Sequence, residues 1–514
     1  MNFFGLFYIS DWLLIPVLLG CAFYVFLTWR YNELRDLGIP GSKPSVPLGT
    51  LGEIFKVGLA DIDAVNVKKY GKIYGDYICR DPQITIADVE IMKKILIKDF
   101  DYFTDRKPFY MRGAVSHGLF DTNGPRWRTM RRKLTPAFTS GKLKLMFDLT
   151  KKCCNLFMEH LDELAKSGEM FEAKEKTDAL TSDNIASTSF GIELNAIKNP
   201  DHPFIVKGKE LNDIPVNNIF LLVAIFMPYV AKYLEKFIKS CYPKDLEGYF
   251  IDLLKEAIQA RQDNPTARKD LIQIILDAEK DSKKMDAETK AIFEQGLGFS
   301  DTDKGALTRE EVIGNLILFL VAGYETTSGS LSFILYNLAI HPDVQEQLAQ
   351  EIEDEIGDQE VTYDMTNKLP YMEKVINETM RMYPLSPKVD RVCLSERQYG
   401  DLKIPKGMII GIPIRYFHYD PDIWPEPEKF DPERFSPEEK AKRDPFPFMP
   451  FGHGPRMCIG NRFALLTLKT SLIHIIRQFR MLKCDKTEVP LKMKKDAPFF
   501  LQPENGIWLK VERR

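Results

Sequence analysis

The chain has 514 residues, 44% of them hydrophobic and 28% charged, and its 70 Lys and Arg against 73 Asp and Glu leave a formal net charge of −3. That balance argues against a nucleic-acid binder, which carries a large basic surplus, and the ordinary composition without repeats or low-complexity tracts excludes a fibrous or disordered chain. Eight cysteines, at Cys21, Cys79, Cys153, Cys154, Cys241, Cys393, Cys458 and Cys484, contain no CxxC pair, a pattern of independent reduced thiols and not of a disulfide framework or a structural zinc site.

In chain order, the first element is an uncharged run from Trp12 to Trp29 (WLLIPVLLGCAFYVFLTW), bracketed by tryptophans suited to membrane interfaces. Asp11 precedes it and Arg30, Arg35 and Lys43 follow it, opposite to a signal peptide, so the positive-inside rule leaves everything after Arg30 in the cytosol. A core helix is the alternative. Next, GIPGSKPSVPLG at Gly38 to Gly49 carries three prolines and three glycines, a stiff non-helical connector. The predicted organisation is an anchor over 1–30, a linker over 31–49 and one domain over 50–514.

Residues 90 to 390 read mostly as helix. Thr308 and Glu311 form a capping box, an apolar pattern runs from Val312 through Leu338, and His341-Pro342 ends it, which predicts a helix roughly 45 to 50 Å long. At its centre AGYETTSG, Ala322 to Gly329, places Gly323, Glu325, Thr326 and Thr327 in an apolar segment. Either Thr326 bonds back to a carbonyl one turn earlier and bends the helix, or the segment is a groove with an acid and a hydroxyl for proton delivery. A helix over Pro370 to Met382 pairs Glu378 with Arg381 at i, i+3, ordinarily surface decoration unless Arg434 of PEKFDPERF joins them in a buried network. RVCLSE and GDLKIPKGMIIGIPI read as short hairpin strands, and Asn461 to Phe479 resumes a helix. The fold class is mainly α with small β-sheets.

Phe451 to Gly460, FGHGPRMCIG, sets Cys458 at the end of an irregular loop before that last helix. It is a packed core cysteine, half of a disulfide, a nucleophile or a metal ligand. Unpaired N–H groups at a helix start and Arg456 favour the thiolate. The scattered cysteines leave no disulfide partner, and His453 has no third member to complete a nucleophilic triad. A thiolate without further Cys or His ligands points to a metal complex that brings its own, which is haem.

At this point the chain resembles the cytochrome P450 family along its whole length. The haem-loop pattern F-x-x-G-x-R-x-C-x-G is matched by Phe451, Gly454, Arg456, Cys458 and Gly460, E-x-x-R by Glu378 and Arg381, PERF by Pro432 to Phe435, [AG]-G-x-[DE]-T-[TS] by Ala322 to Thr327, and W-x-x-x-R by Trp127 and Arg131. The resemblance implies a long central helix over haem b, with Cys458 as its iron ligand and Trp127, Arg131 and Arg456 on its propionates. Looser motifs add Arg106 and Arg391. Glu325 and Thr326 would relay protons to O2, while Glu378, Arg381 and Arg434 would hold the loop.

Details of VAGYETTSG, FTSGKLK and MPFGHGPRMCIG are most similar to the animal microsomal clan that includes vertebrate three-A drug oxidases and insect six-type detoxification enzymes. That likeness implies oxygen insertion into lipophilic small molecules at the endoplasmic reticulum membrane, with NADPH acting through NADPH-cytochrome P450 reductase and cytochrome b5 as a further partner. The chain has no GxGxxG of its own for NADPH. Arg128, Arg132 and Lys133 are candidates for docking an acidic reductase surface, or form a solvated helix face. Phe109 to Phe120, Ile219 to Met227, Leu318 to Ala322, Leu385 to Val389 and Ala497 to Leu501 are candidate substrate linings, the second of them also a membrane contact or core. Two rivals stand beside this function: a haem-thiolate isomerase resembling thromboxane synthase, against which the intact Glu325-Thr326 counts, and a non-catalytic haem protein.

Overall fold

Secondary structure in the computed structural model is described for residues 11–108, 113–212, 242–264, 270–280, 305–495, 497 and 499–514, with isolated residues elsewhere. Its axis is the Arg309–Ile340 helix, 32 residues and about 48 Å long. The expected capping box forms: the Thr308 N–H donates to the Glu311 carboxylate at 2.8 Å and the Glu311 N–H to the Thr308 hydroxyl at 3.2 Å. His341 ends the helix as the residue before Pro342. By length and hydropathy this helix would cross a membrane, yet it is a core element, walled by Ala173–Ile185 and by the helices at Pro370–Met382 and Asn461–Gln478. Gly323 permits a close approach of the Ala173–Ile185 helix, since a Cβ there would lie 2.7 Å from the Ile185 Cδ1.

Two sheets flank the helices. One has the strand order Ile73–Ile78, Asp81–Ile86, Ile409–Ile412, Val389–Val392, with its middle pair parallel and the others antiparallel. The other joins Phe479–Lys483, Trp508–Arg513 and Phe171–Glu172. The last long helix stops at Gln478, and Phe479, predicted as its final residue, begins a strand. The predicted hairpin at Arg397–Ile404 is present.

The N-terminal helix spans Asp11–Thr28, with Ile15, Leu18, Leu19 and Phe23 exposed along it. Its last turn is docked: Leu27 is buried, and the Arg80 guanidinium lies 4.0 Å from the Phe26 ring and 5.4 Å from that of Trp29. The proline-rich segment behind it lies on the first sheet and is no free spacer. Gly75 N–H donates to Pro40 O at 2.8 Å, the Tyr77 hydroxyl to Tyr31 O at 3.0 Å, and Leu34 is buried.

Glu378, Arg381 and Arg434 do meet. The buried Arg381 fork reaches both Glu378 oxygens at 2.7 and 2.8 Å and the carbonyls of His418 and Pro427 at 2.8 Å each, while Arg434 approaches Glu378 at 3.4 Å. His418, fully buried, accepts from Met449 N–H at 3.0 Å and bonds Arg381 O at 3.1 Å through its other nitrogen. Burial, and then the Arg381 charge, push its imidazole down to about 3. It is therefore neutral in the fold and protonates in the unfolded chain below about pH 6.5. Its contribution is present above that pH and lost as pH falls toward 3, at roughly 1.4 kcal/mol per pH unit. Urea titrations between about pH 7 and pH 4 should show this loss, and His418→Gln should flatten the slope.

Candidate functional site

The Phe451–Gly460 loop is shaped by its own backbone. Cys458 N–H donates to Phe451 O at 2.9 Å and Met457 N–H to Gly454 O at 2.9 Å, folding the loop so that the thiol faces inward. Gly454 has φ +74°, and a Cβ there would sit 2.0 Å from Leu96 O, so only glycine fits. Gly460 then starts the Asn461–Gln478 helix.

The Cys458 sulfur is deep in the protein yet exposed to a cavity of about 340 Å³. Thr326 lines its far side, where the long helix passes, and its hydroxyl donates to Ala322 O at 2.7 Å, the back-bond of the bland alternative. Phe451, Trp127, Arg131, Arg106, Arg391 and Arg456 line the same cavity. Trp127 and Arg131 share one face of the Gly124–Leu134 helix, and the Arg456 guanidinium stacks 4.3 Å over the Trp127 ring. Glu325 does not line it. One helical step from Thr326, its carboxylate turns away to Lys174 Nζ at 3.0 Å, which also binds Asp178 at 2.6 Å.

The arginines define what the cavity holds. Arg106, Arg131, Arg391 and Arg456 each bury an Nε–H that has no partner among the described residues. Burial, then the neighbouring Arg106 and Arg391 charges, push Arg456 down to about 8; burial and Arg106 push Arg391 down to about 9, and burial pushes Arg131 down to about 10. Four crowded cations with unanswered donors around one thiol call for a ligand bearing carboxylates. The thiol itself corrects the expectation from the loop: burial pushes it up, and the Gly460 N–H and the Arg131 and Arg106 charges only partly oppose this. Without a metal the protein favours the protonated form.

Two positioning residues escaped the sequence reading. Asn123 Oδ1 accepts from Arg106 N–H and from Arg456 at 3.0 Å each, tying two of the cations together. Its only signal is a cap-like Asn before Gly124-Pro125, and its side chain caps no helix. Asn315, fully buried in the long helix, accepts from Leu119 N–H at 2.9 Å and so pins the wall formed by Leu119 and Phe120. Of the predicted substrate linings, the cavity receives Phe120, Leu318, Leu385 and Phe500, while Ile219 to Met227 lies almost wholly outside the described residues. Arg128 is paired with Asp101 at 2.6 Å, and Arg132 and Lys133 are half-buried.

The family profile described as Cytochrome P450 matches residues 40–511. The chain belongs to the cytochrome P450 family. Cytochrome P450 3A2 of Rattus norvegicus is 35% identical over 506 residues, covering 98% of this chain and 96% of the rat protein. Cytochrome P450 3A41 of Mus musculus is 35% identical over 517 residues, covering 100% and 99%, and cytochrome P450 3A27 of Oncorhynchus mykiss is 35% identical over 518 residues, covering 100% and 96%. The chain is therefore a P450 monooxygenase of the animal microsomal type, with the P450 fold. P450 enzymes use haem b, O2 and electrons that originate in NADPH. The cavity suits that group: a thiol as the one protein sulfur facing it among the described residues besides Met side chains, and guanidinium donors for two propionates.

Proposed function

We propose that this P450 inserts one oxygen atom of O2 into lipophilic small molecules, with Cys458 as the thiolate ligand of haem iron. The observation that carries the assignment is the set of four buried, unanswered arginine Nε–H groups around the Cys458 cavity. Bound haem supplies the redox chemistry that activates O2. Arg106, Arg131, Arg391 and Arg456, with Trp127, hold its propionates. The apolar wall of Phe120, Leu318, Leu385 and Phe500 takes the substrate and excludes water. Thr326 is the proton-bearing group at the reacting centre, and Glu325 is the carboxylate behind it, held half-buried by Lys174.

Electrons reach the site from NADPH through NADPH-cytochrome P450 reductase, with cytochrome b5 as a second donor, docking on the face of Arg128, Arg132 and Lys133. The exposed apolar helix Asp11–Thr28 anchors the chain in the endoplasmic reticulum membrane with the body in the cytosol. Incubating the protein with reductase, NADPH and a panel of lipophiles should give hydroxylated products. Thr326→Ala should keep most NADPH consumption but cut product per NADPH about tenfold or more. Product formed without NADPH or O2 would instead establish the isomerase, and a haem protein that consumes no NADPH with any lipophile would establish the non-catalytic reading.

The arginine cluster makes a prediction with opposite signs. In the apoprotein Arg391→Met removes a buried charge that Arg106 repels, so the unfolding free energy from urea titration should rise, by about 1 to 3 kcal/mol. In the loaded protein it removes a charged hydrogen bond, so haem transfer to an apomyoglobin trap should be about tenfold faster or more. Loss of stability in both forms would remove Arg391 from the propionate set.

A further inference from the structure

Between the Pro370–Met382 helix and the Val389–Val392 strand, the wall of the Cys458 cavity is a short connection, Tyr383 to Lys388, stiffened by Pro384 and Pro387. Leu385, Ser386 and, at the start of the strand, Val389 line the cavity. The main chain of the connection is tied at two carbonyls: Leu385 O accepts from Leu501 N–H at 2.9 Å and Pro387 O from Arg415 N–H at 3.0 Å. Lys388 does not line the cavity, and its side chain runs across the first sheet instead.

Three elements hold its ammonium. It donates to Thr85 Oγ1 at 2.8 Å and lies 3.1 Å from Asp63 Oδ1 and 3.4 Å from Asp76 Oδ2, so the Ile62–Tyr70 helix and the Ile73–Ile78 and Asp81–Ile86 strands share one cation. Asp63, Asp76 and Thr85 are all buried. They are fixed by further bonds: the Tyr74 hydroxyl donates to Asp63 Oδ1, and the Thr85 hydroxyl to Asp76 Oδ2 at 2.9 Å. On its way the lysine stem passes over Gly411 of the Ile409–Ile412 strand, where a Cβ would sit 2.4 Å from Lys388 Cε. A lysine threaded past a glycine onto two buried carboxylates has little freedom, because withdrawing it would leave both carboxylates without that cation.

The wall is coupled to this attachment directly. Lys388 O accepts from Ser386 Oγ at 3.0 Å, so the place of Lys388 sets the direction of a hydroxyl on a cavity-lining residue. Val389, the next residue along the chain, carries any shift of Lys388 into the apolar part of the wall.

We propose that Lys388 is a specificity-determining residue of this P450: its attachment to Asp63, Asp76 and Thr85 holds Leu385, Ser386 and Val389 in one position, and that position decides which ligand shapes the cavity admits. It acts through the wall and is a positioning residue. The proposal rests on the reading that the apolar side of the Cys458 cavity receives the substrate.

The test titrates the full-length haem-loaded protein with imidazole, 1-phenylimidazole and 4-phenylimidazole, each Kd being read from the shift of the Soret band. All three reach the iron through the same ring, and the two isomers differ in where the phenyl group lies, so the ratio of their Kd values reads the wall and cancels a change at the haem. Lys388→Met should move that ratio about fivefold or more, while the Kd of imidazole itself stays within about twofold. Only folded, haem-loaded protein shifts its Soret band, so lost stability alone leaves the ratio where it was. Should Lys388→Met not fold, Gly411→Ala pushes the lysine stem aside with every charge retained and must move the ratio by a comparable factor. A ratio unchanged in the folded variants overturns the proposal, and so does imidazole weakened as much as the phenyl compounds, which would make Lys388 a support of the haem site. A wild-type protein that binds all three equally has no apolar wall beside the iron, and then the reading of the cavity fails first and the proposal with it.

Discussion

Cys458→Ala should remove the absorbance near about 450 nm that the reduced wild-type protein develops with CO, and reduce oxygen insertion to background. The reason lies in the arrangement around the sulfur. Cys458 is the cysteine that faces the cavity among the described residues, so no neighbouring thiol can replace it. Burial pushes its thiol up, so a metal ion in contact with the sulfur would supply the charge that draws it to the thiolate. Alanine removes only the sulfur from the cavity wall and leaves the packing around the loop in place, so the fold of the apoprotein should change by no more than about 1 kcal/mol. Haem should still be held by the arginines, giving a coloured but inactive protein. A wild-type maximum near about 420 nm, or a spectrum that the substitution leaves unchanged, would refute thiolate ligation.

Glu378→Ala should be the most damaging substitution outside the cavity. Both members of the Glu378–Arg381 pair are 0% exposed. Removing the carboxylate strands a guanidinium that is otherwise fully engaged, at a cost of about 3 to 5 kcal/mol. Against a typical stability of about 5 to 15 kcal/mol this is a third or more of the total. Glu378 also accepts from Asp431 N–H at 3.0 Å, so the segment leading to the thiol loses its attachment to the Pro370–Met382 helix. The expected results are aggregated protein or an unfolding free energy, read from urea titration, lowered by that amount, with little haem bound. Arg381→Lys should do almost as badly, because an ammonium cannot serve Glu378, His418 O and Pro427 O together. A Glu378→Ala protein that keeps haem and melts within about 1 kcal/mol of wild type would reduce the network to decoration.

Local chemistry was legible in the sequence. The capping box, the proline stops and the glycine-rich loop before Asn461 act over a few residues, and the Arg309–Ile340 and Pro370–Met382 helices begin and end where those signals stand. The strands at Ile73–Ile78 and Asp81–Ile86 were missed because Gly75 and Asp76 interrupt the first and Pro82 the second, residue types that weaken a strand signal. Arg106 and Arg456, 350 residues apart, meet through tertiary folding; only family likeness pointed to them together. The pairing of Glu325 with Lys174, 151 residues away, is equally silent in sequence, as is the desolvation that outweighs the helix start at Cys458.

The docked end of the N-terminal helix has a mechanical consequence. With Leu27 buried and Arg80 clasped between Phe26 and Trp29, the helix is a lever welded to the turn between the first two strands, and those strands carry the sheet whose Val389–Val392 edge bears Arg391. Where such a helix stands in a bilayer, its tilt is the tilt of the whole body. The height and heading of the cavity above the lipid are then set by four side chains at this joint, and the length of the proline-rich stretch from Gly38 to Gly49 has no say in them.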